Sequence, residues 1–118
     1  MMRALFALVL MAAAALPEPV AAHALLVKAS PPKRAVLRDA PKEVHLWFNE
    51  RLEAAYATVS VMHEGAPVAI GDKVVDAKEN RLSVQLPLLR PGSYTVRFRV
   101  LSVDGHVAED SFGFSVGR

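Results

Sequence analysis

The sequence predicts an all-β domain, an antiparallel β-sandwich or Greek-key barrel of about seven strands, preceded by a cleaved signal peptide. Three observations predict it. Apolar and polar residues alternate with a period of two in several short segments. Proline and glycine separate those segments, and hardly any stretch carries a helical period. The chain of 118 residues suffices for one domain and leaves no room for a second core.

The first stretch stands apart from that domain. Met1-Met2-Arg3 carries a positive charge, Ala4 to Leu16 is an unbroken apolar run, and Pro17-Glu18-Pro19 breaks it before a series of small residues. This is the layout of a secretory signal, and the run falls short of the roughly 20 apolar residues of a membrane span. Export is the expectation. Val20-Ala21-Ala22 offers a cut that makes His23 the first residue, whereas Ala22-His23-Ala24 also fits the small-x-small rule and would discard that histidine. The first is favoured, giving a signal at 1–22 and a domain at 23–118. It takes 22 residues from the 118 and leaves 96, with 13 basic and 11 acidic side chains and a formal charge of +2.

Those charges are interspersed, which gives little support to a nucleic-acid interface and reads as a solvated, mixed-sign surface. Cysteine is absent. An exported domain of this size then depends on its apolar core for stability, and no thiol serves metal, redox or nucleophilic chemistry.

The strands follow in order. Leu25 to Ala29 reads as the first, closed by Ser30-Pro31-Pro32, where neither proline can donate to a ladder. Lys33 to Pro41 reads as a loop with Val36 and Leu37 tucked inward, and Ser30-Pro31 through Asp39 has space for a helical turn but nothing longer. Glu43 to Asn49 alternates Val44, Leu46 and Phe48 with His45 and Trp47. Ala57 to Met62 places Val59 and Val61 on one face, and His63-Glu64-Gly65 turns into a short strand at Ala66 to Ile70. Gly71-Asp72 turns again. Lys73 to Asn80 is weakly patterned with Val74-Val75 as an edge segment, and Arg81 to Leu86 alternates through Leu82, Val84 and Leu86. Arg90-Pro91-Gly92-Ser93 has the residues of a type II turn. Beyond it Tyr94, Val96, Phe98 and Val100 alternate with Thr95, Arg97 and Arg99, and Ser111 to Val116 closes the domain with Phe112, Phe114 and Val116 inward.

Between those last two strands lies Ser102-Val103-Asp104-Gly105-His106. Asp104 and His106 are separated only by glycine, so an extended backbone puts a carboxylate and an imidazole on one side. An Asp-Gly-His tripeptide is by itself most often a turn. His23, as a new first residue, adds an imidazole and a free α-amine, which makes four donors.

Several segments, in this order, resemble the CopC family of periplasmic copper-resistance proteins. They are an N-terminal histidine after the signal, Ser30-Pro31-Pro32, Leu46-Trp47-Phe48-Asn49-Glu50, Pro91-Gly92-Ser93-Tyr94-Thr95-Val96, Ser102-Val103-Asp104-Gly105-His106 and Phe112-Gly113-Phe114-Ser115-Val116. No single piece is specific, but the set spans nearly the whole mature chain. The resemblance implies an immunoglobulin-like Greek-key barrel in the periplasm. It also implies copper(II) bound by the amine and imidazole of His23, by Asp104 and by His106, with Glu50 beside the metal without ligating it. The methionine-rich copper(I) segment of some members is missing, because Met62 is the one methionine after the signal. Ala108-Glu109-Asp110 stands where a glycine commonly opens the last strand of the family.

Nitrogen and oxygen donors in a tetragonal plane suit copper(II), whereas copper(I) prefers sulfur, so reduction should weaken binding. The first residue closes a chelate ring through its amine and Nδ1, so ordering one residue supplies two donors. One carboxylate against a divalent ion leaves net positive charge that Glu50 can offset, or Glu50 can bond an axial water. Histidine and α-amine groups ordinarily titrate near 6.5 and 7.7–8.0 and must lose protons to bind, so affinity should fall with pH.

The leading expectation is a monomeric periplasmic carrier or buffer of copper(II), with the ion as partner and an inner-membrane copper transporter as a further partner, and with no membrane insertion after the signal is removed. A second reading is a small copper monooxygenase-like enzyme, since an amine-terminal histidine plus another histidine is also the copper brace of polysaccharide monooxygenases. A broad flat substrate face is needed there, and Trp47 and Tyr56 are the large aromatics available to build one. A third is a metal-free exported immunoglobulin-like interaction module. His45 reads as a surface histidine, Met62-His63 as a turn with a weak accessory copper site as the sharper option, and Tyr94 as core.

Overall fold

A computed structural model describes residues 25–117. The expected signal at 1–22 and His23 lie outside the described residues. The strands in chain order are β1 (Leu26–Ser30), β2 (Val36–Leu37), β3 (Glu43–Phe48), β4 (Thr58–His63), β5 (Ala66–Pro67), β6 (Val74–Asp76), β7 (Arg81–Gln85), β8 (Gly92–Leu101) and β9 (Val107–Val116), with one 3-10 turn at Ala54–Tyr56. No helix among the described residues is long and apolar enough to cross a membrane.

The strands form two sheets, one ordered β1-β3-β7-β6 and the other β2-β9-β8-β4-β5. All pairings are antiparallel except that of β2 with β9, which is parallel over two residues. The period-two pattern decides which face of each sheet turns inward. From the first sheet Val44, Leu46, Phe48, Leu82 and Val84 are buried; from the second, Val61, Tyr94, Val96, Phe98, Val100, Phe112, Phe114 and Val116. Phe48 and Phe98 meet edge to face across the two layers with centroids 5.3 Å apart. Burying each such side chain contributes about 1.5–3 kcal/mol, and this core supplies the stability that disulfides give many exported domains. The phenol of buried Tyr94 does not go unpaired, since its hydroxyl donates to the Arg90 carbonyl at 2.5 Å.

Five expectations need correction. Val36 is 81% exposed rather than inward, because Val36 and Leu37 pair with Ser115 and Val116 and a two-residue strand turns only one side chain, Leu37, toward the core. The expected Ala66 to Ile70 strand shrinks to Ala66–Pro67, where Pro67 has no N–H to extend a ladder. The last strand starts at Val107, four residues before Ser111, because β8 and β9 pair without a break from Leu101 with Val107 to Gly92 with Val116. At Pro91 the chain only bends before entering β8 at Gly92. Gly92 has φ +139°, and a Cβ there would stand 2.6 Å from His63 Cε1. That ring cannot easily yield, as it stacks on Tyr94 at 4.4 Å and its Nδ1 lies 3.1 Å from the Ser93 carbonyl. His63 is therefore the last residue of β4 rather than part of the turn, and its ring is engaged in packing.

On the outer face of the first sheet His45 Nε2 lies 2.5 Å from Glu43 Oε2. The Glu43 carboxyl is held below its ordinary pKa, first by a hydrogen bond from Gln85 across the β3–β7 pair and then, against some desolvation, by His45. A lowered carboxylate pKa contributes stability that is complete above the ordinary value near 4.3 and is lost as pH falls through the lowered one. Glu43→Gln is thus expected to narrow the loss of stability between pH 5 and pH 3, measured as urea midpoints at each pH.

Candidate metal centre

The β8–β9 hairpin carries Asp104 and His106 on its turn. Ser102 donates its N–H to the His106 carbonyl at 2.9 Å, and the Gly105 N–H bonds the Ser102 carbonyl at 2.9 Å. Three residues remain in the loop, and Gly105 takes φ +93°, as three-residue hairpin loops require of their glycine. The backbone here is a tight turn and not the extended segment expected. Asp104 and His106 meet all the same, because the turn folds the carboxylate back over the residue two places on.

His106 Nδ1 lies 3.1 Å from Asp104 Oδ1, and the two side chains are 46% and 33% exposed. The same carboxylate oxygen accepts from the Ser102 hydroxyl and from the His106 N–H at 3.2 Å. Together these keep the Asp104 carboxyl below the usual range, with the Ser102 hydroxyl the largest cause. Asp104 is therefore a formed carboxylate at neutral and mildly acidic pH, the state in which it can take a cation.

Two further segments reach this end of the sandwich. Val103 donates its N–H to the Arg51 carbonyl at 3.0 Å, Glu53 donates to the Leu101 carbonyl at 2.8 Å, and Leu52 bridges Ser102. Glu50 directly precedes Arg51, and its Oε2 is buried with no hydrogen-bond partner among the described residues. The start of the described chain is tied to the neighbouring residue: Leu25 donates to Asn49 Oδ1 at 2.7 Å, and Asn49 donates back to the Leu25 carbonyl at 3.1 Å. Leu25 and Val107, the residue after His106, line one surface groove of about 560 Å³.

Of the expected site residues, the structure brings Asp104 and His106 into contact and sets Glu50 on the adjoining segment. Among the described residues no group of three or more His, Cys, Asp and Glu side chains forms a metal site, and His23 lies outside them. His45 and His63 stand elsewhere, one on the outer face beside Glu43 and the other against Tyr94. Sequence reasoning missed Asn49 as the anchor for Leu25 and Ser102 as the hydroxyl on Asp104. A serine two places before an aspartate in a turn was the available signal for the second.

The structure is a two-layer β-sandwich with a carboxylate and an imidazole in contact at one hairpin end, and the comparisons with known proteins give its family. Residues 26–117 match the CopC domain, and the chain belongs to the CopC family. It is 38% identical to CopC from Methylosinus trichosporium OB3b, whose crystal structure superposes with a TM-score of 0.75 over 80% of this chain and 94% of that one. PcoC from Escherichia coli, a methionine-rich copper resistance protein, shares the fold at 24% identity, with a TM-score of 0.73 over 80% of this chain and 99% of that one. Among curated proteins, the chain is 31% identical over 106 residues to the copper transport protein CutJ of Bacillus subtilis and 32% identical over 117 residues to YobA of Escherichia coli. The alignment covers 87% of this chain and about a fifth of CutJ, but 94% of this chain and 92% of YobA. Family membership ties the chain to copper.

Proposed function

We propose that this protein is a periplasmic carrier or buffer of copper(II), which binds the ion through the α-amine and imidazole of His23, the Asp104 carboxylate and the His106 imidazole. The observation that carries this reading is the contact of Asp104 with His106; Leu25, two residues after His23, lines the same groove as Val107. Bonds from first-row divalent ions to imidazole nitrogen and carboxylate oxygen are about 2.0–2.2 Å long, so neighbouring donors in a square plane stand about 3 Å apart. The 3.1 Å between His106 Nδ1 and Asp104 Oδ1 suits such a pair. Residue 23 is two places before Leu25, a span of at most about 7 Å, and Leu25 is fastened to Asn49, next to Glu50. The buried, unpartnered Oε2 of Glu50 suits a cation or an amine nearby.

The enzyme reading is less well supported. A polysaccharide oxidase needs an open aromatic surface, and the Trp47 ring is flanked by Lys28 at 4.7 Å and Arg81 at 5.9 Å. Asp104 would also take an equatorial position that oxygen needs. Oxygen uptake with ascorbate and copper at no more than the rate of free copper supports the carrier.

The test is a competition titration of the chain beginning at His23 against a copper(II) chelator. His106→Ala and Asp104→Ala are each expected to weaken copper(II) binding by more than the roughly 10–100-fold that changes around a metal's ligands cost. Both should leave the fold intact by circular dichroism, because neither side chain belongs to the core, although Asp104→Ala, which takes a partner from the buried Ser102 hydroxyl, should also lower the melting temperature somewhat. Affinity unchanged in both variants contradicts the reading.

A further inference from the structure

Ser102 is the one buried polar residue among the described residues, at 1% exposure, and its hydroxyl does more than favour the charged form of Asp104. Its backbone is fully used, the N–H on the His106 carbonyl and the carbonyl on the Gly105 N–H. Its hydroxyl meets Asp104 Oδ1, and it also lies 3.3 Å from the His106 N–H nitrogen and 3.2 Å from the His106 carbonyl. A buried hydroxyl must find partners, and at 1% exposure Ser102 leaves water little access to it. The turn supplies them instead, and the main one is the carboxylate.

We infer that Ser102 is a positioning residue for the metal centre, holding the Asp104 carboxylate against His106 so that these two donors stand in place before the ion arrives. The inference rests on the copper(II) reading above. Its physical basis is cost: a surface aspartate samples several rotamers, and a ligand that must be immobilised on binding weakens the site by the entropy lost. The hydroxyl spends that entropy during folding, where the buried hydrogen bond offsets it. Groups that orient metal ligands typically contribute about 10–100-fold to affinity.

A double-mutant cycle on the chain beginning at His23 tests it, with copper(II) affinity read by chelator competition and folding by far-ultraviolet circular dichroism. Ser102→Ala is expected to weaken binding by about 10–100-fold. Placed on Asp104→Ala, the same change should have no further effect, because the carboxylate through which the serine acts is gone. Ser102→Thr keeps the hydroxyl and should bind within a few fold of the parent. An alanine variant that binds like the parent overturns the inference while the copper reading stands. So does one that weakens binding equally in the Asp104→Ala background, as a general loosening of the fold would, and so does a folded threonine variant as weak as the alanine one. Failure of the parent to bind copper(II), or an Asp104→Ala variant that binds normally, overturns the inference together with the site.

Discussion

A chain that begins at Leu25 is expected to lose copper(II) more severely than any single substitution on the hairpin turn. Under the proposed site, the first residue contributes two of four donors, and they are joined by one chelate ring. Asp104 and His106 alone offer one oxygen and one nitrogen on an open turn, and the rest of the described residues offer no cluster to replace what is lost. The truncation should leave the fold intact, since the β1–β3 pairing starts at Leu26 and the described core residues all lie in the retained chain. Adding a single alanine ahead of His23 separates the two contributions, for it keeps the imidazole but moves the amine. Isothermal titration of the three chains with copper(II) should therefore rank the His23 start first, the extended chain next and the Leu25 start last. Equal affinities would remove His23 from the site.

Leu46→Ala is the substitution expected to cost most in stability. Leu46 is fully buried at the middle of β3, between Ala29 of β1 and Leu82 of β7, and its side chain enters the space between the sheets. Leucine-to-alanine changes at such positions cost about 2–5 kcal/mol, because the removed methyl groups leave a cavity that neighbours fill only in part. In a domain of this size that lowers the melting temperature by roughly 10–30 °C, and total stabilities are typically only about 5–15 kcal/mol. Urea unfolding of the variant should show a lowered midpoint with the slope unchanged. A loss under 1 kcal/mol would mean that the two sheets close over the site more freely than their packing implies.

These two residues illustrate how unevenly the sequence reveals the molecule. Leu46 was legible at once, because β3, β7 and β8 alternate in burial as strictly as they alternate in hydropathy. The beginning of β9 was not, since Val107 is exposed, Ala108 half-buried and Glu109 and Asp110 exposed, so no period of two marks a strand whose identity comes from pairing with β8. The 3-10 turn at Ala54–Tyr56 buries no side chain and left no pattern to find. At the site, Asp104 and His106 could be named from their spacing, although the turn and not an extended backbone joins them. The neighbourhood of Glu50 depends on bonds from Arg51 and Leu52 to residues some fifty positions later, which no local pattern encodes.

The decisive measurement is the position of copper in crystals of the chain beginning at His23 grown with copper(II), located by anomalous scattering at the copper edge. The expected peak is bonded at once to the Asp104 carboxylate, the His106 imidazole and the amine and ring nitrogen of His23. A peak at His45 or His63 with none at the Asp104–His106 turn would contradict the account.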